Sequence, residues 1–401
     1  MQQRVLPILC LLALCSILCV MASTPAFVEG VTTQKYPIQA RTLNGTSDDP
    51  SSSASTPLGS AANAASTDQS LVFKIVQLAD LHITGILGTK CSGVPEGMDS
   101  NNCNESLTLS FVEDILDEEK PDFVVFTGDN VQIYGPSDRQ RAIDSVTQAV
   151  EQRNIPYAMV FGNHDEEGDF SREEIVEMLS EKDHSYTERG PESVDGVGNY
   201  MLNVKAPVDG AWGKQNESVF RMYFLDSGAE ALTDKYPYVF SEYDWIKSSQ
   251  INYYRALSES ERTKSEGAVL PAVMFFHIPL IEYSFMSDGN CNGEKRDWVH
   301  EQGMNLRMLS TLSELNEVKA VFVGHDHLNE YCCLVDRVQL CYGGGTGFGR
   351  AYGSPDFSRR ARVIEWSVGN GNHRTIRSWK RHFDDVSVIR DEEVLYSEEA
   401  T

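Results

Sequence analysis

Five short stretches carry residue types suited to metal chemistry: Asp80-Leu81-His82, Gly128-Asp129, Gly162-Asn163-His164-Asp165, His277 and Gly324-His325-Asp326-His327. Imidazole nitrogens, carboxylates and the neutral Asn163 amide oxygen are nitrogen and oxygen donors without a thiolate, a set that suits zinc, iron or manganese. One ion needs only about four ligands. The seven donors Asp80, His82, Asp129, Asn163, His277, His325 and His327 therefore suffice for two ions if one carboxylate is shared. His164 is left over for a substrate, and Asp165 beside it is a carboxylate that would orient the ring. A lone histidine at a strand end has a plainer explanation as a hydrogen-bonded core imidazole. Five such endings at one sheet edge would be undersolvated without cations.

The elements that position these residues are legible as apolar runs. Phe73 to Ala79, Phe123 to Phe126, Ile155 to Phe161, Val269 to Phe276 and Ala320 to Val323 read as buried strands, each ending at one of the polar stretches. Helical spacing separates them at Ser106 to Glu119, stopped by Pro121, at Ser137 to Gln152 and at Leu306 to Leu315. Capping-box spacing opens two more helices, Ser171 to Leu179 and Ser241 to Leu257, the second expected to carry Trp245, Tyr253 and Tyr254 into the core. Strands are also predicted at Tyr200 to Val204, Val219 to Leu225, Tyr331 to Val335, Val338 to Tyr342, Arg362 to Val368 and Thr375 to Trp379, with Lys182 to Val197 a surface excursion. Strand alternating with helix is the rhythm of parallel α/β units, which place their chemistry at the carboxyl ends of strands. Gly343 to Gly349, with Arg350 and Tyr352, is either a substrate-approach loop or a tight turn needing positive φ.

Composition narrows the partners. The 401 residues carry a formal net charge of -25, so the surface repels nucleic acid and anionic membrane faces, and a small phosphorylated substrate or phosphoprotein would need cations to bind. Residues 1–22 have the form of a secretory signal peptide, Arg4 and then Val5 to Met21, with a retained signal anchor as the alternative. Residues 23–70 read as a disordered Ser/Thr/Ala-rich linker, 71–385 as the catalytic domain and 386–401 as a tail. A secreted, extracellular protein is expected, with no membrane contact unless the anchor remains.

Beyond residue 22 there are six cysteines: Cys91, Cys103, Cys291, Cys332, Cys333 and Cys341. An even number behind a signal peptide suggests disulfides. Of about 15 pairings, the expected one joins Cys91 to Cys103, Cys332 to Cys341 across a hairpin at Asp336-Arg337, and Cys291 to Cys333. Neighbours on a strand face opposite sides, so Cys332 and Cys333 need different partner regions. Glycosylation sequons stand at Asn44, Asn104 and Asn216.

The five stretches, in their order, resemble the motif series of the calcineurin-like metallophosphoesterases, a superfamily that includes purple acid phosphatases. Tyr223-Phe224-Leu225-Asp226-Ser227-Gly228, Tyr243-Asp244-Trp245-Ile246, Phe276-His277-Ile278-Pro279-Leu280 and Cys341-Tyr342-Gly343-Gly344-Gly345 are similar to the plant branch named probable inactive purple acid phosphatases and to a fungal phosphatase group. The resemblance implies an α/β fold, a four-layer α/β/β/α sandwich of two mixed sheets. It implies one metal held by Asp80, His82, Asp129 and His327 and a second held by Asp129, Asn163, His277 and His325, with Asp129 the bridge. The metals would be two divalent or mixed-valence transition ions, iron, zinc or manganese. Purple enzymes carry a tyrosine ligand where this chain has Gln132, and Tyr134 is offset by two, so the site is expected not to be purple. Calcineurin-type enzymes have an Asp there to support the catalytic histidine; here Asp165 or another region must support His164.

The activity implied is hydrolysis of phosphate monoesters by direct attack of a metal-bridging hydroxide, with Asn163 and His164 on the substrate and His164 with Asp165 as the catalytic pair. A phosphodiesterase of the same fold and a catalytically silent secreted binding or scaffold protein are the alternatives.

Overall fold

The computed structural model describes residues 37–44 and 69–398, apart from 169, 233, 240, 241 and 286–290. The expected signal peptide and most of the expected linker lie outside the described residues. The strands are β1 (Arg41–Asn44), β2 (Gln69–Leu78), β3 (Phe123–Thr127), β4 (Tyr157–Val160), β5 (Tyr200–Lys205), β6 (Ser218–Phe224), β7 (Ala272–Phe275), β8 (Cys291–Asn292), β9 (Val318–Val323), β10 (Cys332–Val335), β11 (Val338–Tyr342), β12 (Arg360–Val368), β13 (Arg374–His382) and β14 (Asp385–Ser397). The helices are α1 (Ser106–Glu119), α2 (Arg139–Gln152), α3 (Arg172–Ser180), α4 (Ser248–Lys264) and α5 (Met308–Leu315).

Two sheets form. One runs β14-β13-β12-β2-β3-β4 with β1 also on β2, and the other runs β5-β6-β7-β9-β11-β10-β8. In the first, β2, β3 and β4 are parallel and the remaining pairs antiparallel. In the second, β6, β7, β9 and β11 are parallel. Both sheets are therefore mixed. Phe73, Ile75 and Trp366 of the first meet Phe220, Phe275 and Phe322 of the second in one buried core, with Phe220 stacked on Trp366 at 5.4 Å between ring centroids. The outer face of the first sheet packs against Phe111 and Ile115 of α1, Ile143 of α2 and Ile175 of α3. That of the second takes Tyr254 of α4 and Leu309 and Leu312 of α5. Each such large side chain removed from water contributes about 2 kcal/mol. The layers are helix, sheet, sheet, helix, as the resemblance implies.

Local signals explain the helix limits. Asn104 Oδ1 takes the Ser106 N–H at the start of α1, and Lys120 ends it at φ 46 just before Pro121. The Ser171–Glu174 capping box is formed on both sides. Ser241 lies outside the described residues, and Glu242 to Lys247, expected to be helical, form no helix. Tyr243 instead bridges Glu230, the Ile246 N–H is taken by Gln302, and α4 begins at Ser248, so Trp245 is buried ahead of the helix. Tertiary hydrogen bonds here outweigh a local propensity.

Three further expectations are corrected. The predicted tail holds β14, thirteen residues paired along β13. Within the predicted linker, Ile38 and Ala40 are buried and β1 pairs with Gln69 to Val72. The predicted surface excursion covers the edge of β4: the Tyr157 N–H donates to His184 O, the Tyr186 N–H donates to Tyr157 O, and Tyr186 is buried. An uncovered edge strand leaves unpaired backbone groups, which such a segment satisfies.

The disulfides are Cys91–Cys103, Cys291–Cys333 and Cys332–Cys341, the expected pairing. Cys332 and Cys341 enter the core between the sheets, while Cys333 and Cys291 lie on the opposite face under α5. No helix among the described residues is long and apolar enough to cross a membrane.

Candidate metal centre

The carboxyl ends of β2, β3 and β4 in one sheet and of β7 and β9 in the other converge. Asp80 and His82 follow β2, Asp129 follows β3, Asn163 and His164 follow β4, His277 follows β7, and His325 and His327 follow β9. The donor atoms of Asp80, His82, Asp129 and His327 lie within 4.8 Å of one another, and so do those of Asp129, His277 and His325. Asp129 belongs to both groups. The Asp129 carboxylate is 3.5 Å from His82 Nε2 and 3.3 Å from His277 Nε2. Asn163 lines the same pocket.

The backbone is bent to bring them there. Asp80, His82, Asp129 and His325 all have positive φ, at 57°, 47°, 50° and 78°. Non-glycine residues adopt this conformation at a cost, and it concentrates at functional sites. Glycine is needed beside them: a Cβ on Gly162 would collide with the Asp129 carboxylate, and one on Gly128 with the His277 ring. Gly343 to Gly349 serve the same end. They are buried, Gly345 lies against His327 and Gly347 against the Asp80 carbonyl, so the run is a close-packed support and not a substrate-approach loop. Tyr352 beyond it does border the pocket.

Hydrogen bonds orient the imidazoles. His277 Nδ1 is 2.9 Å from Thr127 O and His327 Nδ1 is 2.9 Å from Tyr352 O, which turns each Nε2 into the cluster. There His82 Nε2 and His327 Nε2 stand 3.1 Å apart, and His325 Nδ1 and His277 Nε2 stand 3.2 Å apart. Burial holds His325 and His327 well below the ordinary histidine range and lowers His82 to about 4. Neutral nitrogens are lone-pair donors suited to a cation. Asp80 Oδ2 and Asn163 Oδ1 are buried without a hydrogen-bond donor. Unsatisfied buried oxygens beside converging lone pairs fit metal ions, so the residues present suit the group that the fold implies. Burial also raises Asp80 to about 8, and His277 is lifted to about 9 because the Asp129 carboxylate outweighs the burial that opposes it.

The two remaining predicted residues separate. His164 lies at the pocket, its N–H donating to Asp129 Oδ1 at 2.9 Å and its Nδ1 2.6 Å from Glu167 Oε1. Asp165 does not touch the ring. Its buried carboxylate accepts the N–H groups of Asn130, Val131 and Gly162 and the Asn130 side-chain amide. It is a clamp between the loops after β3 and β4, and the expected role as catalytic partner of His164 is corrected: Glu167 supplies the contact. Burial lifts Asp165 to about 6. Opposing that trend in His164, Asp129 and Glu167 raise its pKa against burial. Gln132 Nε2 comes within 3.5 Å of His164 Nδ1, and Tyr134 is 62% exposed with Arg350 over its ring.

Sequence reasoning missed Glu167, Tyr243, Asp297 and His300, whereas Tyr352, named with the glycine run, does reach the pocket. The i, i+3 spacing of His164 and Glu167 was the available signal. His300 Nδ1 is 2.7 Å from the buried Asp326, and Tyr243 meets the His325 ring edge-on at 4.4 Å. Their distance in sequence from the donors gave no sign of this. Of the sequons, Asn216 is exposed, Asn104 is half-buried with Oδ1 engaged by Ser106, and Asn44 ends β1.

Two mixed sheets with converging donors at their strand ends define a protein whose fold and residue groups fit a dinuclear metal site. The chain belongs to the calcineurin-like phosphoesterase family, whose model matches residues 73–329. It is 32% identical over 345 residues to probable inactive purple acid phosphatase 29 of Arabidopsis thaliana, covering 82% of this chain and 87% of that one. It is 35% identical over 328 residues to phosphatase DCR2 of Saccharomyces cerevisiae, covering 77% of this chain and 53% of that longer protein. The crystal structure of a dimetal phosphatase from Danio rerio aligns over 81% of this chain and 99% of its own with TM-score 0.49 and 14% identity.

Proposed function

We propose that the protein is a secreted dinuclear-metal phosphoesterase that hydrolyses phosphate monoesters. The observation that carries this reading is the pairing of inward-facing imidazoles with the unsatisfied oxygens of Asp80 and Asn163 around Asp129, with His164 beside them but outside the donor groups. Asp80, His82, Asp129 and His327 would hold one ion, and Asp129, Asn163, His277 and His325 the other.

Two bound cations supply an acidified water and neutralise the phosphoryl oxygens. The chain's own residues do the rest. Asn163 and His164 bound the pocket where a phosphoryl group would sit, and Glu167 holds Nδ1 of His164 so that Nε2 is left for the leaving-group oxygen. Asp165 fixes the loop that carries both. Gln132, standing where a purple enzyme has its tyrosine ligand, favours a centre of iron, zinc or manganese that is not purple. Three disulfides support an oxidising compartment, and the exposed Asn216 supports glycosylation on a secretory route. The partners are a small phosphorylated substrate or a phosphoprotein, without nucleic acid.

The name of the plant relatives favours a second reading, a catalytically silent binding protein. The complete donor set and the supported His164 speak against it. Metal content by mass spectrometry, paired with hydrolysis of a chromogenic monoester and a diester across pH, decides. About two transition ions per chain with chelator-sensitive monoester turnover is expected. Faster diester turnover would make it a phosphodiesterase, and metal without turnover of either ester would favour the silent reading.

A further inference from the structure

A second cavity adjoins the metal pocket. The inner pocket has a volume of ≈ 270 Å³ and the outer groove ≈ 540 Å³, and they share Tyr243 and His300. The groove is walled by Tyr238, Glu242, Glu301 and Met304 beyond those two. Its shared wall is braced: His300 is held by Asp326, and Tyr243 packs on His325. A phosphoryl group does not need the outer volume, so the groove is room for what the phosphate is attached to.

The chemistry of that room is one-sided. Among the described residues, no lysine or arginine lines either cavity, while Glu242 and Glu301 line the groove and Asp297 the pocket. Lys247 pairs with Asp244, and Arg296 with Glu294 and Asp356. Apart from His300, the charged side chains that a leaving group with further phosphates would meet there are carboxylates. Tyr238 is 88% exposed at the groove, and Trp298, between Asp297 and His300 in sequence, is 83% exposed, so flat aromatic faces are open to apolar or guanidinium groups.

We propose that the groove binds the peptide of a phosphoprotein whose phosphorylated residue is flanked by basic side chains. Glu242 and Glu301 meet the flanking charges, and Tyr238 and Met304 meet their aliphatic stems. This rests on the phosphomonoesterase reading for the inner pocket. Water would add to phosphorus, the bond from phosphorus to the side-chain oxygen would break, and a proton would go to that oxygen, giving orthophosphate and the free hydroxyl.

The test is fluorescence anisotropy of the metal-reconstituted full chain with three labelled phosphoserine peptides of one length, flanked by Arg, by Ala or by Glu. The Arg-flanked peptide is expected to bind about tenfold tighter than the Glu-flanked one, two exposed ion pairs contributing. Raising the salt should shrink that ratio, since exposed pairs are screened. The Glu242→Gln/Glu301→Gln variant, its fold checked by circular dichroism, should bring the ratio near one. Equal binding by the wild type, tighter binding of the Glu-flanked peptide, no binding, or an unchanged ratio in the variant overturns the proposal. Selectivity without hydrolysis of any monoester would support the groove and overturn the phosphatase reading. Hydrolysis without selectivity would do the reverse.

Discussion

Glu167, three residues beyond His164 across a turn, holds the imidazole through a 2.6 Å contact between Oε1 and Nδ1, while Asp165, the immediate neighbour, faces the other way into the loop after β3. Roles that adjacency would assign to one carboxylate are divided between two. His164→Ala should lower kcat by about 10²- to 10⁴-fold, the range of a positioned proton donor, with about two metals retained. Glu167→Gln should lower kcat by about tenfold, as loss of an outer hydrogen-bond partner does. Steady-state kinetics beside metal analysis checks both, and metal loss with activity in His164→Ala would assign that histidine to the metals.

Asp165→Ala should act on stability first. Removal of a buried carboxylate that accepts three backbone N–H groups leaves those donors unpaired, at a cost of about 3 kcal/mol or more. Thermal unfolding should show a clear fall in Tm. An unchanged Tm would mean that the loops are held by other contacts.

Asp129→Ala should empty both metal positions, because its carboxylate belongs to both donor groups. Mass spectrometry of the purified variant is the measurement. Two ions retained would contradict a shared ligand.

The Cys291–Cys333 bridge closes a loop across 42 residues of sequence. Chain entropy puts its worth near about 4 kcal/mol, more than for the shorter loop of Cys332–Cys341. Cys291→Ser should therefore lower the denaturation midpoint further than Cys341→Ser. Non-reducing peptide mapping checks the three pairs themselves.

His382 supplies a pH dependence away from the metal centre. Burial, with Arg360 and Arg390 nearby, lowers it from 6.5 to about 3. Between those values the unfolded chain holds a proton there that the folded chain does not. The unfolded state binds more protons, so this group's contribution to stability falls as pH drops from 6.5 toward 3. His382→Asn should flatten the slope of Tm against pH in that window relative to the wild type; parallel slopes would refute the assignment.

The donors themselves were legible because strand and ligand are read together. A buried run such as Phe123 to Phe126 must end where the chain leaves the sheet, and polar residues at that point can only gather at the sheet edge. The edges of the sheets were not legible. In β14 only Leu395 is buried, so a strand of mostly polar residues carries no apolar alternation to read. β1 has just four residues, and it is a strand because β2 offers them a free edge.

The sequence by itself determined the alternation of strand and helix, the seven donors and the six cysteines of the disulfides, since apolar period and residue chemistry are local properties; the two-sheet sandwich followed only from the resemblance of the motif series. Only the tertiary structure decided that Asp165 clamps loops while Glu167 supports His164, that the glycine run lies beneath the ligands, and that Tyr243, Asp297, His300 and Tyr352 complete the pocket. Those residues reach the site through turns and sheet packing. Their contacts depend on how far the chain has already folded, and no spacing in the sequence records that.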